Sequence, residues 1–322
     1  MKNLILFVSI LLLCHSCTRT LLDDYLEPPE VDPAMAIHVF CTDRSTKIGA
    51  RLIISYSSFE YYDSVQWFQG TRQAVDAELD VRLYTNGDEV GTFELDTASQ
   101  DHFFTHSLSL TDQVMEPGTV LELIGEHPVY GAIRSQQIMP QKVPLTQIKF
   151  IGNVGAFDKN IPYLFGKDLH AVKVTFQDPP EKNYYQVSVF EDSTEIDQET
   201  GDTVVSRGTR WRFIEIDDPS FNTRLYTTYF FSDESFNGKE FSFILKLVDE
   251  ITPRTKIVFR NLTEEWYRYE ISHIAFRKPY DDIEVSTTLL DAYVQPSLVE
   301  GNIEGAYGVF GVGTEGWYEI ER

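Results

Sequence analysis

Cysteine is almost missing from this chain: three residues in 322, Cys14, Cys17 and Cys41. A secreted protein of this size that used disulfide staples would carry them in pairs at regular spacings. That device is therefore excluded, and a hydrophobic core must hold the fold. Basic residues are also scarce, 27 Lys and Arg against 50 Asp and Glu, for a formal charge of −23. Such a chain repels phosphate backbones, so nucleic acid is not an expected partner. Long apolar runs are lacking beyond the N-terminus, so no later segment could cross a bilayer as a helix, which takes about 20 apolar residues. Catalytic signatures are missing too. There is no G-x-S-x-G elbow, no P-loop, no Rossmann fingerprint and no H-E-x-x-H. The seven histidines are scattered. His102 and His106 have the i, i+4 spacing of zinc ligands on a helix, but Phe103, Phe104, Thr105 and Ser107 make the stretch strand-like. Residues four apart in a strand are roughly 13 Å apart. Asp217-Asp218 and Asp281-Asp282 lack the spacing of a calcium loop and read as solvated turns. No metal, no cofactor and no catalytic residue is expected, and the chain reads as a non-enzyme.

What the chain does have begins at its N-terminus. Lys2 precedes an apolar run, Leu4 to Leu13, broken only by Ser9. A charged start followed by an apolar stretch of this length is a secretory signal. Cys14-His15-Ser16-Cys17 follows, and a small residue before cysteine resembles the lipobox of bacterial lipoproteins. Cleavage after Ser16 would leave Cys17 as the acylated first residue, anchoring the protein to a membrane by lipid. The alternative is ordinary signal cleavage, which would leave a soluble periplasmic protein. Losing Lys2 with the signal makes the formal charge −24. Loss of Cys14 and acylation of Cys17 leave Cys41 alone, within the apolar run Ile37 to Cys41, as a buried small hydrophobe.

Residues 17–33 form an acidic tether, with Asp23, Asp24, Glu27, Glu30 and Asp32 among Pro28, Pro29 and Pro33. This composition favours an extended, solvated segment. Residues 34–140 read as short strands between turns. Ala77, Leu79, Val81 and Leu83 alternate with polar neighbours, the period of a half-buried strand. Asn86-Gly87 ends that strand as a hairpin turn, since both residues accept positive φ. Glu116-Pro117-Gly118 turns into Val120 to Ile124. Strands at this spacing predict an immunoglobulin-like β-sandwich of about 100 residues. After a linker at Pro140 to Pro144, residues 145–322 predict a second β-rich domain. Strands are expected at 172–176, 184–190, 211–216, 223–231, 240–248 and 256–260. Glu191 to Gly208 reads as an exposed acidic loop. One helix is expected at about 263–277. Thr263 caps it, Glu264 and Glu265 suit its positive end, Tyr267, Ile271, Ile274 and Ala275 share a face, and Pro279 ends it. The cap also accounts for Asn261-Leu262-Thr263 better than a glycosylation role. The fold class is thus mainly β, a sandwich followed by a β-rich domain with one helix.

Several motifs of the second half follow one another in order: Asp178-Pro179-Pro180, Asn183-Tyr184-Tyr185, Asp233, Phe236-Asn237-Gly238-Lys239, Leu262 to Tyr269, and Asn302 to Gly311. They resemble a Bacteroidota outer-membrane lipoprotein family known as domain of unknown function 4249. The resemblance covers most of the chain after the signal. It implies an accessory lipoprotein of the outer membrane, facing the cell surface. Its implied partner is a SusC-like TonB-dependent transporter, and its role to capture or admit substrate, with a peptide or glycan as ligand. It carries no catalytic set. Asp23 and Asp24 resemble the acidic surface-export signal of such lipoproteins. An independent surface binding or adhesion module is the alternative, and a hydrolase a more distant one. For a contact surface the sequence offers Tyr61, Tyr62, Trp67 and Phe68, aromatics in a polar stretch between strands, although packing against the sandwich would also account for them. Tyr226, Tyr229, Phe230 and Phe231 read as core.

Overall fold

The computed structural model describes residues 34–55, 79–96, 104–110, 115–158, 164–196, 203–224, 226–281 and 300–321. The first half supplies β1 (Ala34–Thr42), β2 (Lys47–Ser55), β3 (Asp80–Thr85), β4 (Asp88–Thr92), β5 (Glu94–Leu95), β6 (His106–Ser109), β7 (Val120–His127) and β8 (Gly131–Ile138). Residues 140–144 have no regular structure, as the prolines predict. Next come β9 (Leu145–Ala156), β10 (Asp168–Gln177), β11 (Tyr184–Ile196), β12 (Thr203–Trp211), β13 (Ile214–Glu215), β14 (Asn222–Arg224) and β15 (Thr228–Ser232). The chain then forms β16 (Glu240–Val248), β17 (Thr255–Leu262), helix α1 (Glu264–Asp281) and β18 (Tyr307–Glu319). The described residues are therefore mainly β with one helix, as the alternation patterns predict.

The strands form three sheets. One long sheet has the order β14-β15-β11-β17-β18-β1-β2-β6-β5, with β12 beside β11. Two smaller sheets have the orders β4-β3-β7-β8 and β13-β16-β10-β9. Both small sheets pack on one face of the long sheet. Ile37, Val39, Cys41, Phe310 and Val312 meet Val81, Leu83, Leu121, Leu123 and Ile133 in one cluster. Tyr185, Val187, Val189, Ile257 and Phe259 meet Val174, Phe176, Phe243, Leu245 and Leu247 in the other. Each cluster is the apolar half of an alternating strand pattern turned inward.

The join between the halves is the parallel pairing of β1 with β18, from Ala36 opposite Tyr307 to Thr42 opposite Gly313. Segments 34–140 and 145–322 thus contribute strands to one continuous sheet, and Phe310 and Val312 complete the core of the first segment. The approach is close. Gly308 lies opposite Ile37 at φ +111°, and a Cβ there would fall 1.9 Å from the Ile37 carbonyl oxygen. Only glycine fits such a position.

On the opposite face of the long sheet, α1 covers one end. Trp266 lies over Gly311 and Gly313, where an added Cβ would come within 2.7 and 3.2 Å of the indole. The two missing side chains make a trough for the ring, and Phe40 flanks it at a centroid distance of 5.0 Å. The buried helix residues are Trp266, Tyr269 and Glu270, whereas Ala275 is exposed and Tyr267, Ile271 and Ile274 are half-buried. The buried face is therefore rotated from the one expected, because the glycine trough takes the largest ring. The helix also carries through Pro279 to Asp281, past its expected end.

Thr263 precedes the helix as expected, but its hydroxyl works across to the sheet. Oγ1 accepts the Val312 N–H at 3.3 Å, while the Thr263 N–H donates to the Val312 carbonyl at 2.9 Å. A Thr263→Val substitution leaves a buried N–H without that acceptor and should cost about 1–2 kcal/mol. Chemical denaturation of the two proteins measures the difference, and equal stability would refute the assignment. Glu191 to Gly208 also departs from expectation. Residues 193–196 pair with 203–206 in a β11–β12 hairpin. The β-branched residues Thr194, Ile196, Thr203, Val204 and Val205 favour strand, and that preference prevails over the acidic composition.

Candidate functional site

Cys17 and the aromatic group Tyr61, Tyr62, Trp67 and Phe68 lie outside the described residues, as does His102. His106 is buried and its Nδ1 bonds Thr105 Oγ1 at 2.9 Å; burial lowers its pKa. Among the described residues no group of three or more His, Cys, Asp or Glu is placed to hold a metal ion. Cys41 is buried with its sulfur 3.4 Å from that of Met115, and burial pushes its thiol up to about 12. It is the inert small hydrophobe its sequence context predicts.

Polar motifs of the second half converge on one corner, where their hydrogen bonds run within the fold. Asp178 accepts from the Tyr185 hydroxyl and, at 2.7 Å, from the Gly238 N–H. Asp233 accepts the Asn183 N–H at 2.7 Å. Asn261 donates to Asn183 Oδ1 and to the Gln141 carbonyl, both at 3.0 Å. Asp178, Asn183, Asp233 and Asn261 are all buried. Burial raises the Asp178 pKa, with the Tyr185 and Gly238 hydrogen bonds opposing the rise. This corner locks the β10 end, the 236–239 turn and the linker together. Its carboxylates are structural, since Asp178 and Asp233 already accept hydrogen bonds from within the fold, although the buried Asn261 Oδ1 has no partner there. Asn261 is likewise no glycosylation acceptor in the folded chain.

The accessible chemistry lies on the outer face of the long sheet, at the end α1 leaves uncovered. Antiparallel pairing of β17 with β18 sets Lys256 opposite Glu319, Val258 opposite Trp317 and Arg260 opposite Glu315. Pairing with β11 and β12 brings Phe190 beside Lys256 and Trp211. The turn between β1 and β2 adds Arg44 and Thr46. Arg44, Thr46, Lys256, Glu315, Trp317 and Glu319 line a cleft of about 430 Å³.

Its floor is held by ion pairs and hydrogen bonds. Arg260 Nε donates to Glu315 Oε2 at 2.6 Å, and Lys256 Nζ to Asp192 Oδ2 at 2.8 Å. Trp317 Nε1 donates to Glu315 Oε1, which fixes the indole. Asp43 accepts the Glu315 N–H at 2.7 Å and a Lys142 ammonium proton at 3.0 Å. Arg44 is exposed and has no ion-pair partner among the described residues. Beside the cleft, Phe190 lies between Trp211, tilted 42° to it at a centroid distance of 4.0 Å, and Trp317, stacked on it at 5.5 Å. Trp211 is 45% exposed. These residues were not evident as a site in the sequence. The signal that marks them is Glu315-x-Trp317-x-Glu319 facing Lys256-x-Val258-x-Arg260. Charges at alternate positions on central strands mean that one sheet face is open to solvent.

Fold and cleft define a mainly-β protein in which ion-paired Lys256 and Glu315 and the exposed Arg44 surround an aromatic platform. The chain belongs to the family described as Domain of unknown function (DUF4249), whose model matches residues 28–319. A search of curated proteins finds no match. Among solved structures, the chain is similar to a crystal structure of Parabacteroides merdae beta-glucuronidase at 12% identity and a TM-score of 0.20, over 72% of this chain and 24% of that one. A second structure of that enzyme, with glycerol in its active site, gives 11% identity and a TM-score of 0.21 over 72% and 23%. The chain spans about a quarter of the length of those proteins. Similarity at that TM-score carries no inference about activity.

Proposed function

We propose that this protein is a lipid-anchored accessory of the outer membrane that captures ligand beside a SusC-like TonB-dependent transporter. The observation that carries this reading is where the cleft stands relative to the tether. The tether enters at the start of β1, and Arg44 and Thr46 follow the end of that strand. Nine residues of strand at about 3.3 Å each separate the two points by roughly 30 Å. The cleft thus stands at the end of β1 opposite the one that the tether joins. The high negative charge keeps neighbouring copies apart on a crowded surface. Two of the four charged lining groups, Lys256 and Glu315, are held in ion pairs, and the exposed Arg44 is open to a ligand, which suits binding.

The test is affinity capture of the tagged protein from outer membranes solubilised in several detergents. A TonB-dependent transporter should be recovered with it. A Cys17→Ser variant should leave the membrane fraction. Capture without any such transporter in every detergent, or unchanged membrane retention of the variant, would contradict the proposal.

A further inference from the structure

The chemistry of the cleft selects a class of ligand. Its floor is built from β17, paired on both edges with β11 and β18, and from the 315–319 stretch of β18, which among the described residues pairs with β17 alone because the β1 ladder ends opposite Gly313. A peptide could extend that edge by strand addition, which makes a peptide the competing ligand class. The side chains of the cleft decide between the two. Five of the six lining side chains are polar, which disfavours an acyl chain. Two are cationic, Arg44 and Lys256, and two anionic, Glu315 and Glu319. In a chain of charge −23 this balanced patch exerts little net selection by charge.

What the patch does offer is an indole fixed by Glu315 and surrounded by polar groups with donors and acceptors. A ring with a flat C–H face and a rim of hydroxyls matches that arrangement, through stacking on the aromatic face and hydrogen bonds at the edge. A second indole, Trp211, lies on the other side of Phe190 and is open to solvent. A ligand that touches both indoles spans more than one ring.

We infer that the cleft binds a neutral pyranose oligosaccharide, with successive sugar rings on Trp317 and Trp211. Arg44, Glu319 and Lys256 take the hydroxyls of the ring on Trp317. The inference rests on the reading of this protein as a ligand-capturing accessory.

The experiment uses the mature lipidated protein in a detergent without a sugar headgroup. It is titrated with cellohexaose, maltohexaose, xylohexaose and mannohexaose, followed by tryptophan fluorescence and by calorimetry. At least one oligosaccharide should give saturable binding. Trp211→Ala and Arg44→Ala, both at exposed positions, should each weaken it by about tenfold, a change of about 1.4 kcal/mol. Absence of saturable binding to all four would overturn the assignment. So would binding that both variants leave unchanged, or binding of tetra-alanine that the two variants weaken while no oligosaccharide binds. Transporter recovery is scored on the same variants and should persist. Recovery without oligosaccharide binding would sink the ligand class alone. Oligosaccharide binding without recovery would sink the accessory reading and leave the ligand class standing.

Discussion

Phe310→Ala should destabilise the protein by about 3–5 kcal/mol, the usual cost of emptying a buried phenylalanine site. Phe310 is fully buried, opposite Val39 in the parallel β1–β18 ladder, and belongs to the core of the first half. A loss of that size is a large fraction of the roughly 5–15 kcal/mol that holds a typical domain. The location of the damage matters more than its size. The substitution lies near the C-terminus, yet the amides that lose protection should be those of β1, β3 and β7. Hydrogen exchange with mass spectrometry reads this directly, and denaturant titration gives the magnitude. Damage confined to β10, β11 and β16, or a change under about 1 kcal/mol, would mean that the C-terminal strand does not complete the first core.

Acidification should loosen the contact between α1 and the sheet. His38 in β1 lies under the helix, edge-on to Tyr269 at 5.5 Å, and Tyr269 stacks on His273 at 5.9 Å. Burial lowers the His38 pKa to about 4, with Arg51 and then His273 adding to the effect. The native state thus prefers neutral imidazole, while the unfolded chain titrates near 6.5. Stability from this group is fully present above about pH 6.5 and is lost as pH falls toward 4, by roughly 3 kcal/mol over the whole interval. Denaturant midpoints between pH 7 and pH 4 should fall more steeply for the natural protein than for His38→Phe. Carboxylates elsewhere titrate in both proteins, so the difference isolates His38. Parallel pH profiles would show that the imidazole is not enclosed as described.

Local features were legible in the sequence because their causes are local. Asn86 and Gly87 adopt φ values of 51° and 90°, as a two-residue hairpin turn demands. The strand expected at 240–248 is found at those residues, and the helix begins after Thr263. Edge strands were harder to read. β8 and β9 are rich in exposed polar positions and lack a strong apolar alternation. The pairing of β1 with β18 joins residues some 270 positions apart, and nothing in either segment alone announces its partner. The glycines of the C-terminal motif also act on partners distant in the chain. In the structure Gly308 permits that pairing, and Gly311 and Gly313 seat the Trp266 indole.

The candidate site divides in the same way. The lipid attachment proposed at Cys17 is legible from its neighbours alone, because a lipobox is a short local sequence. The cleft is assembled from β17, β18 and the β1–β2 turn, so its members are visible only once register is known. The alternation of Glu315, Trp317 and Glu319 was in the sequence throughout. What it lacked was the knowledge that β18 is a central strand, where charge on alternate residues implies an open face.

The role proposed for this protein depends on acyl groups at its processed N-terminus. The most direct check is the mass of the N-terminal peptide released from protein purified out of the outer membrane. That peptide should begin at Cys17 and carry a diacylglyceryl group on sulfur. A peptide that begins at another residue, or at Cys17 with a free thiol, would contradict the anchor and with it the proposed accessory role.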